Sequence, residues 1–365
     1  MTLAGMPLVT VDARMWRSTG IGSYLRGLLP RVVTRLERAR FCLLGDPAEL
    51  GREAVTQQAR VSVRSLSARI YGPSEQPALL WRTPRETRVF WAPHVNAPLA
   101  GPGRLVVTVH DAFYAHPPAG AAPRWDKALY LSAMLRGVRR RAEAVLCVSA
   151  FTRDELERYV GHFAAPLEVV PNGLERAWFE RPAGLAPLAG PYLLFVGNLK
   201  PHKNLARTLA AFASIAERVP HVFVVVGPGD GSALARGLSP SVAARVRFAG
   251  AVGDAELKCY VAHAAGLVLA SLYEGFGLPP LEAMALGVPV LVSRAASLPE
   301  VCGEAALYCD PDSVPDIARG LVTLLTDDVE RARLMAAGPA QARRFDWERC
   351  ADATSAVIAR LLDAK

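Results

Sequence analysis

Two glutamates, a lysine and a histidine sit at spacings that could do chemistry. Glu274 lies in a Gly-rich loop directly after the apolar segment Gly266–Ala270, and Glu282 follows it with seven residues between them. Glu282 is expected in the first turn of a helix opened by Pro279 and Pro280, because proline's missing N–H would have no partner there. Gly275 and Gly277 let backbone amides close on a ligand, and a helix start favours negative charge. Two carboxylates beside such a start fit poorly with phosphate binding alone. They fit well if they accept hydrogen bonds from hydroxyls, one beside the phosphates and one further along. A plainer reading is a strand–turn–helix connection in which Glu282 complements the helix dipole.

The segment GNLKPHKNL, Gly197–Leu205, follows another apolar strand and places Lys203 at the opening of a helix. A cation beside free amides receives a diphosphate and stabilises the charge that builds on a departing nucleoside diphosphate. Alone, Lys203 reads as an exposed helix-start lysine; beside the Glu274 loop the phosphate reading gains weight. In VTVHDAFYAHPP, His110 and Asp111 stand just beyond the strand Leu105–Val109. A histidine there could donate to a sugar hydroxyl or act as acid or base, although a lone strand-end histidine is more often structural. Gly20, Ile21 and Gly22 open the first helix in a turn whose backbone can approach an acceptor or a phosphate. This G-x-G lacks the third glycine and the distal acid of a dinucleotide fingerprint. Asn172 and Gly173 read as a strand-to-linker turn.

The elements that must position these residues are legible as alternating apolar strands and amphipathic helices. Strands are expected at Leu8–Ala13, Phe41–Leu44, Val61–Ser65, Val89–Ala92, Leu105–Val109, Val145–Ser149 and Leu167–Val170. The scheme restarts with Tyr192–Val196, Val222–Val226, Val246–Ala249, Gly266–Ala270 and Val288–Val292. Strands apolar throughout belong to parallel sheets covered on both faces, and strand–helix alternation means doubly wound α/β domains. Every candidate residue falls just after a strand, at the carboxyl edge where such sheets bind ligands. Two such sheets facing each other would place the site in the cleft between them. RPAGLAPLAGP supplies a Pro/Gly/Ala linker, so domains are expected at 1–180 and 181–346, with a closing helix at 347–365.

The 365 residues carry a net charge of +8. Residues 1–175 hold 23 Lys/Arg against 15 Asp/Glu, and residues 176–365 hold 19 of each, so the excess lies wholly in the first half. An anionic partner follows for that half, a membrane surface or a phosphorylated substrate, unless the arginines are simply solvated. The first helix pairs Arg26, Arg31, Arg35 and Arg38 with Leu25, Leu28, Leu29 and Val32, a combination that could rest on anionic lipid. Arg136, Arg139, Arg140 and Arg141 complement a helix end. No aromatics interleave with these arginines, which argues against nucleic acid. Six cysteines without a C-x-x-C pair argue for reduced, buried thiols and a cytoplasmic protein, against disulfides or zinc. No apolar run reaches the roughly 18–20 residues that span a bilayer, so membrane contact is expected to be peripheral, at the inner face of the cytoplasmic membrane.

Taken in order, TGIGSY, VHDAF, VSAFTRDEL, PNGL, VGNLKPHKNL, the EGFGLPPLEAMALGVPV block, SLPEVCGEAALYCDP and FDWERCADAT resemble the retaining glycosyltransferases of family 4. The match runs over nearly the whole chain and is most similar to bacterial polysaccharide and O-antigen mannosyltransferases. The resemblance implies a GT-B fold, with two Rossmann-like doubly wound domains facing across a cleft. It implies an acceptor-binding first domain, a nucleotide-sugar-binding second domain and a final helix that returns to the first. A donor site of Gly197, Asn198, Lys203, Glu274, Gly275, Phe276, Gly277, Leu278 and Glu282 follows from it. There Lys203 would hold the diphosphate, Glu282 the ribose and Glu274 the donor sugar. His110 would face the sugar's far side, with Gly20, Ile21, Gly22 and Asp111 on the acceptor side. It further implies GDP-mannose or a UDP- or dTDP-sugar as donor, a saccharide or lipid-linked saccharide as acceptor, and no metal or other cofactor. Many relatives carry arginine where Asn198 stands, and His202 or Lys200 is expected to compensate. A non-catalytic basic scaffold of the same fold is the alternative outside enzymes.

Overall fold

The structure, a computed structural model, describes residues 5–117 and 125–364. The chain forms two compact units, each built on a parallel sheet. In the first, strands β1 (Leu8–Asp12), β2 (Arg40–Gly45), β3 (Val61–Ser65), β4 (Thr87–Ala92), β5 (Arg104–Val109), β6 (Ala142–Cys147) and β7 (Leu167–Val169) pair in the order β3-β2-β1-β4-β5-β6-β7. Its helices are α1 (Gly20–Arg35), α2 (Pro47–Leu50), α3 (Glu75–Arg82), α4 (Trp125–Arg141) and α5 (Ala150–Tyr159). In the second unit β8 (Tyr192–Val196), β9 (Val222–Val226), β10 (Val246–Gly250), β11 (Gly266–Leu269), β12 (Val290–Ser293) and β13 (Leu307–Cys309) pair as β10-β9-β8-β11-β12-β13. Helices α6 (Leu205–Ile215), α7 (Ser232–Arg236), α8 (Pro240–Ala243), α9 (Asp254–Ala262), α10 (Leu278–Ala285), α11 (Leu298–Cys302), α12 (Val314–Thr326) and α13 (Asp328–Ala342) flank that sheet in sequence. Both strand orders follow the doubly wound pattern, and each reverses at one switch point, β1/β4 and β8/β11. The three residues of β13 are too short for a periodic signal, and the sequence reading has no strand there.

The units divide at 173/174 and again at 345/346, where the expected boundary stood at 180/181. Residues after 173 bond onward into the second unit, as Leu174 N does to the Phe345 carbonyl. Helix α14 (Trp347–Asp363) belongs to the first unit and packs along α1. Two glycines make its seat. A Cβ on Gly27 would lie 2.4 Å from the Trp347 ring, and one on Gly173 would lie 2.2 Å from the Trp347 amide nitrogen. One face of the first sheet is sealed by α1 and α14 through Leu25, Leu28, Val32, Val357 and Ile358. The other is covered through Leu79, Leu135, Val138 and Leu156 of α3, α4 and α5.

This packing corrects the lipid-facing reading of α1. Leu25, Leu28, Leu29 and Val32 are fully buried. Arg31 pairs with Glu348 at 2.8 Å, Arg35 with Glu348 and Asp352 at 2.7 and 2.6 Å, and Arg26 donates to the Trp16 carbonyl at 2.6 Å. Arg31 and Arg35 answer acids on α14, so on that face the amphipathic pattern records a helix–helix contact. All six cysteines are free, and Cys259 alone is partly exposed.

Candidate functional site

In the second unit the candidate residues converge on the switch point, because Lys203 follows β8 and Glu274 follows β11. The main chain ties the two loops together through Leu272 N, which donates to the His202 carbonyl at 2.8 Å. Asn204, at φ +59, caps α6, a left-handed position that asparagine tolerates. Its amide donates to the carbonyls of Ala270 and Pro311 at 2.8 and 2.7 Å. Lys203 therefore sits in a short turn ahead of α6, and its Nζ meets both Glu274 oxygens at 2.7 and 2.8 Å. Ser271 Oγ donates to Glu274 Oε1 at 2.7 Å, and Ser297 Oγ straps the carbonyls of Glu274 and Phe276 at 2.9 Å each. The carboxylate is nearly buried, with 10% of its side chain exposed.

The other expected donor residues fall around this pair. Gly277 caps α10 at φ +103, where a Cβ would also strike Leu298. Gly275 is partly exposed in the loop, and Leu278 is the first residue of α10. Phe276 is buried edge-on against Phe345 at 5.6 Å, so only its backbone faces a ligand. Helix α10 starts at Leu278, and Glu282 is its fifth residue, past the first turn where the spacing had placed it. The dipole reading weakens accordingly, since that field fades within a turn. The Glu282 carboxyl is partly buried and makes no hydrogen bond or ion pair among the described residues. Burial, reinforced by Asp254, pushes it up to about 8, which favours the protonated form at neutral pH.

Gly197 ends β8 with its N–H on the Val226 carbonyl. Asn198 Oδ1 accepts from Lys200 N at 3.3 Å, an Asx turn that shapes the loop. His202 does not supply a second cation. Burial first, then Lys203, lowers it to about 4 against a weaker opposing pull from Glu274. Lys200 is exposed on the same loop.

In the first unit His110 leaves β5 with Nε2 on the Pro93 carbonyl at 2.8 Å and its ring edge-on to Tyr24 at 4.8 Å. Burial, with a smaller push from His94, lowers it to about 4 against the Pro93 bond, so the imidazole is neutral. A carbonyl only accepts, which puts the single proton on Nε2 and leaves Nδ1 as an acceptor. His110 in this state accepts from a hydroxyl and does not donate to one, which narrows the expected role. Asp111 is exposed beside it, and its Oδ1 accepts from Phe113 N. Gly20 is exposed and open, and Ile21 packs partly against the core. Gly22 is buried, and its Cβ would lie 2.7 Å from the Trp16 carbonyl, so internal packing requires glycine there.

Sequence reading missed a buried polar network at the same carboxyl edge. Asp12, last residue of β1, binds Arg14 through Nε at 2.9 Å and Nη2 at 2.6 Å. Arg14 Nη2 also reaches Glu75 Oε1 at 2.8 Å, while Glu75 Oε2 accepts from Tyr130 OH at 2.6 Å, Tyr71 N at 3.0 Å and Asn96 Nδ2 at 3.2 Å. His94 Nδ1 accepts from Asn96 N, which turns Nε2 toward Asp12 at 3.3 Å. Burial alone would raise Asp12, but Arg14 and then His94 hold it well below the carboxylate range. No two partners of Glu75 lie in one local motif. The signal available was a glutamate at an inward position of α3.

Two family descriptions match the chain: "Glycosyltransferase Family 4" over residues 20–178 and "Glycosyl transferases group 1" over residues 190–327. O-antigen chain mannosyltransferase B of Escherichia coli is 32% identical over 269 residues, covering 69% of each chain. This chain belongs to the family-4 glycosyltransferases. A second relative of this glycosyltransferase, glycogen synthase of Mycobacterium tuberculosis, is 28% identical over 282 residues, 69% of this chain and 68% of that one. Sucrose-phosphate synthase from Thermosynechococcus elongatus shares the fold with a TM-score of 0.78 at 19% identity, over 99% of this chain and 100% of that one. The glycosyltransferase thus has the GT-B fold, with one Rossmann-like sheet in each unit.

Proposed function

We propose that this glycosyltransferase moves a hexose, mannose from GDP-mannose, with retention onto a saccharide or lipid-linked saccharide in cell-surface polysaccharide synthesis. The observation that carries the reading is the Lys203–Glu274 pair at the β8/β11 switch point, with the unpartnered Glu282 carboxyl on the next helix. The cation and the carboxylate hold each other. A diphosphate competes for Lys203 and frees Glu274 to accept from donor-sugar hydroxyls, while Glu282 takes the ribose hydroxyls. Lys203 and the amides at the start of α10 stabilise charge on the leaving diphosphate, so no metal is required. The acceptor hydroxyl attacks from the leaving-group side. The sugar–phosphate C–O bond breaks, the new glycosidic C–O bond forms, and the departing phosphate oxygen takes the hydroxyl proton. Mannose rests on the likeness to the O-antigen enzyme. The relative named glycogen synthase is not named for mannose, which leaves a second reading, the same chemistry with a UDP- or dTDP-sugar.

Melting measured with GDP, UDP, dTDP and ADP tests the donor. A nucleotide at a roughly hundredfold excess over its dissociation constant adds about 2.7 kcal/mol of stability. Stabilisation by GDP alone, lost in Lys203→Ala, supports the mannosyl reading. A shift with UDP or dTDP transfers the assignment to those donors, and silence from all four rejects the donor site.

Peripheral contact with anionic membrane is part of this reading, on a different face from α1. Trp81 of α3 and Trp125 of α4 are each 80% exposed, Leu129 is 62% exposed, and Arg82, Arg85, Arg136 and Arg140 are exposed along the same helices and their ends. Exposed tryptophans with flanking cations suit the headgroup layer. No helix among the described residues is long and apolar enough to cross a membrane. Flotation with anionic liposomes at low salt should carry the wild type and leave Trp81→Ala/Trp125→Ala behind. Equal flotation, or none for the wild type, removes this contact.

A further inference from the structure

The Glu75 network holds up something the transfer reading has not used. Four strand-end loops and the start of α4 deliver it: Arg14 after β1, Tyr71 after β3, Asn96 after β4, Tyr114 after β5, and Lys127 in α4. Tyr71 sits at φ +66, a backbone region rare for a bulky residue. Such strain persists where surroundings over-determine it, and it gathers at ligand sites. Here Glu75 fixes the Tyr71 amide at 3.0 Å, and the Tyr130 ring stands edge-on to Tyr71 at 6.0 Å. Tyr71 is thereby presented 42% exposed at the carboxyl edge of the sheet.

Lys127 Nζ lies over the Tyr71 ring at 4.4 Å and over the Tyr114 ring at 5.3 Å. It makes no ion pair among the described residues. A partly dehydrated ammonium on two ring faces keeps its charge available to an anion. Lys127 is also the sole lysine among the 23 basic residues of 1–175. Its compact, rotatable charge suits a phosphate as a point contact, where the arginines around it serve carbonyls and carboxylates. Exposed Asp111 lies close enough to act on the Tyr71 hydroxyl, which burial, Tyr114 and Asp111 together raise to about 12. A carboxylate near the Tyr71 hydroxyl disfavours bare phosphate there and can accept from hydroxyls.

We propose that Lys127, Tyr71 and Tyr114 form a subsite for a phosphate borne by the acceptor saccharide, with Asp111 accepting from its hydroxyls and Glu75 as positioning residue. The proposal rests on the transfer reading for the word acceptor; the phosphate site itself is tested without turnover. The full chain, isotope-labelled at its nine tyrosines, is titrated with mannose 1-phosphate, methyl α-mannoside and farnesyl phosphate. Mannose 1-phosphate should shift the amides of Tyr71 and Tyr114 saturably, and methyl α-mannoside should not. Lys127→Met should weaken that binding about tenfold or more, and Lys127→Arg should recover most of it. Preference for farnesyl phosphate assigns the phosphate to a lipid carrier, and preference for mannose 1-phosphate assigns it to a sugar phosphate. Silence at both tyrosines, or equal affinity in Lys127→Met, overturns the subsite. The donor reading is scored separately, by whether nucleotides shift Tyr273 beside Glu274.

Discussion

Glu274 and Glu75 are both held carboxylates at the carboxyl edge of a Rossmann-like sheet, yet their surroundings differ in kind. Glu274 has one cation, Lys203, and one hydroxyl, Ser271, with both charged side chains partly open to solvent at 17% and 10%. Glu75 has no exposed side-chain area and gathers donors from Arg14, Tyr71, Asn96 and Tyr130, which come from four different segments. A pair that water can reach exchanges partners when a charged ligand arrives, because solvent and ligand cover the cost of separation. A carboxylate sealed among four donors does not exchange, since each lost bond leaves a buried polar group unpaired. The first arrangement suits a group that must change partner during a reaction, and the second suits a group that must not move.

The largest expected effect breaks or upholds that contrast. Glu75→Ala removes the acceptor of Tyr130 OH, Asn96 Nδ2 and Tyr71 N, and leaves Arg14 with Asp12 as its carboxylate partner and the Ala68 carbonyl. Loss of one partner from a buried ionic cluster costs about 3–5 kcal/mol. Glu274→Ala leaves Lys203 with some access to water and Ser271 Oγ without an acceptor, and its cost should be smaller, about 1–3 kcal/mol. Urea unfolding of both variants checks the difference. Equal losses would mean that Glu274 is as structural as Glu75, and the exchange of Lys203 from carboxylate to diphosphate would fail with it.

The contrast also explains what the sequence could reveal. Both residues that flank Glu274's function lie near it in a readable string: the glycines, the prolines and Glu282 fall within one loop and one helix, and Lys203 opens the matching loop of β8. The parallel strands were equally plain, since β8 and β9 have no charged residue or hydroxyl-bearing aliphatic and are buried at nearly every position. The Glu75 network is assembled from residues 12, 14, 71, 75, 94, 96 and 130, each unremarkable beside its neighbours. Only the strand order β3-β2-β1-β4-β5 brings their loops together. Long-range pairing likewise reversed the meaning of α1, whose arginines looked free for lipid until Glu348 and Asp352 arrived from the far end of the chain. The start of α10 shifted for a local reason: Gly277 adopts a left-handed φ and ends the loop one residue before the prolines, which moved Glu282 out of the first turn.

A smaller effect sharpens the comparison on the side of Glu282. Its carboxyl, raised to about 8 from an ordinary 4.5 by burial and by Asp254, is neutral in the folded chain and ionised in the unfolded chain at neutral pH. A raised folded value means that its contribution to stability is fully present below pH 4.5 and is lost as pH rises through about 8. Glu282→Gln abolishes this dependence. The melting point of the wild type should therefore fall relative to Glu282→Gln between these two values, with the gap levelling off above the upper one. Ribose hydroxyls donate to a carboxylate and favour its ionised form, so a saturating nucleotide should narrow the gap and release a proton on binding near neutral pH. The proton is read by titration calorimetry in buffers of different ionisation enthalpy, with Glu282→Gln subtracting the nucleotide's own phosphate. A gap that ignores nucleotide would place Glu282 with Glu75, among carboxyls that hold the fold, and leave Glu274 as the exchangeable one.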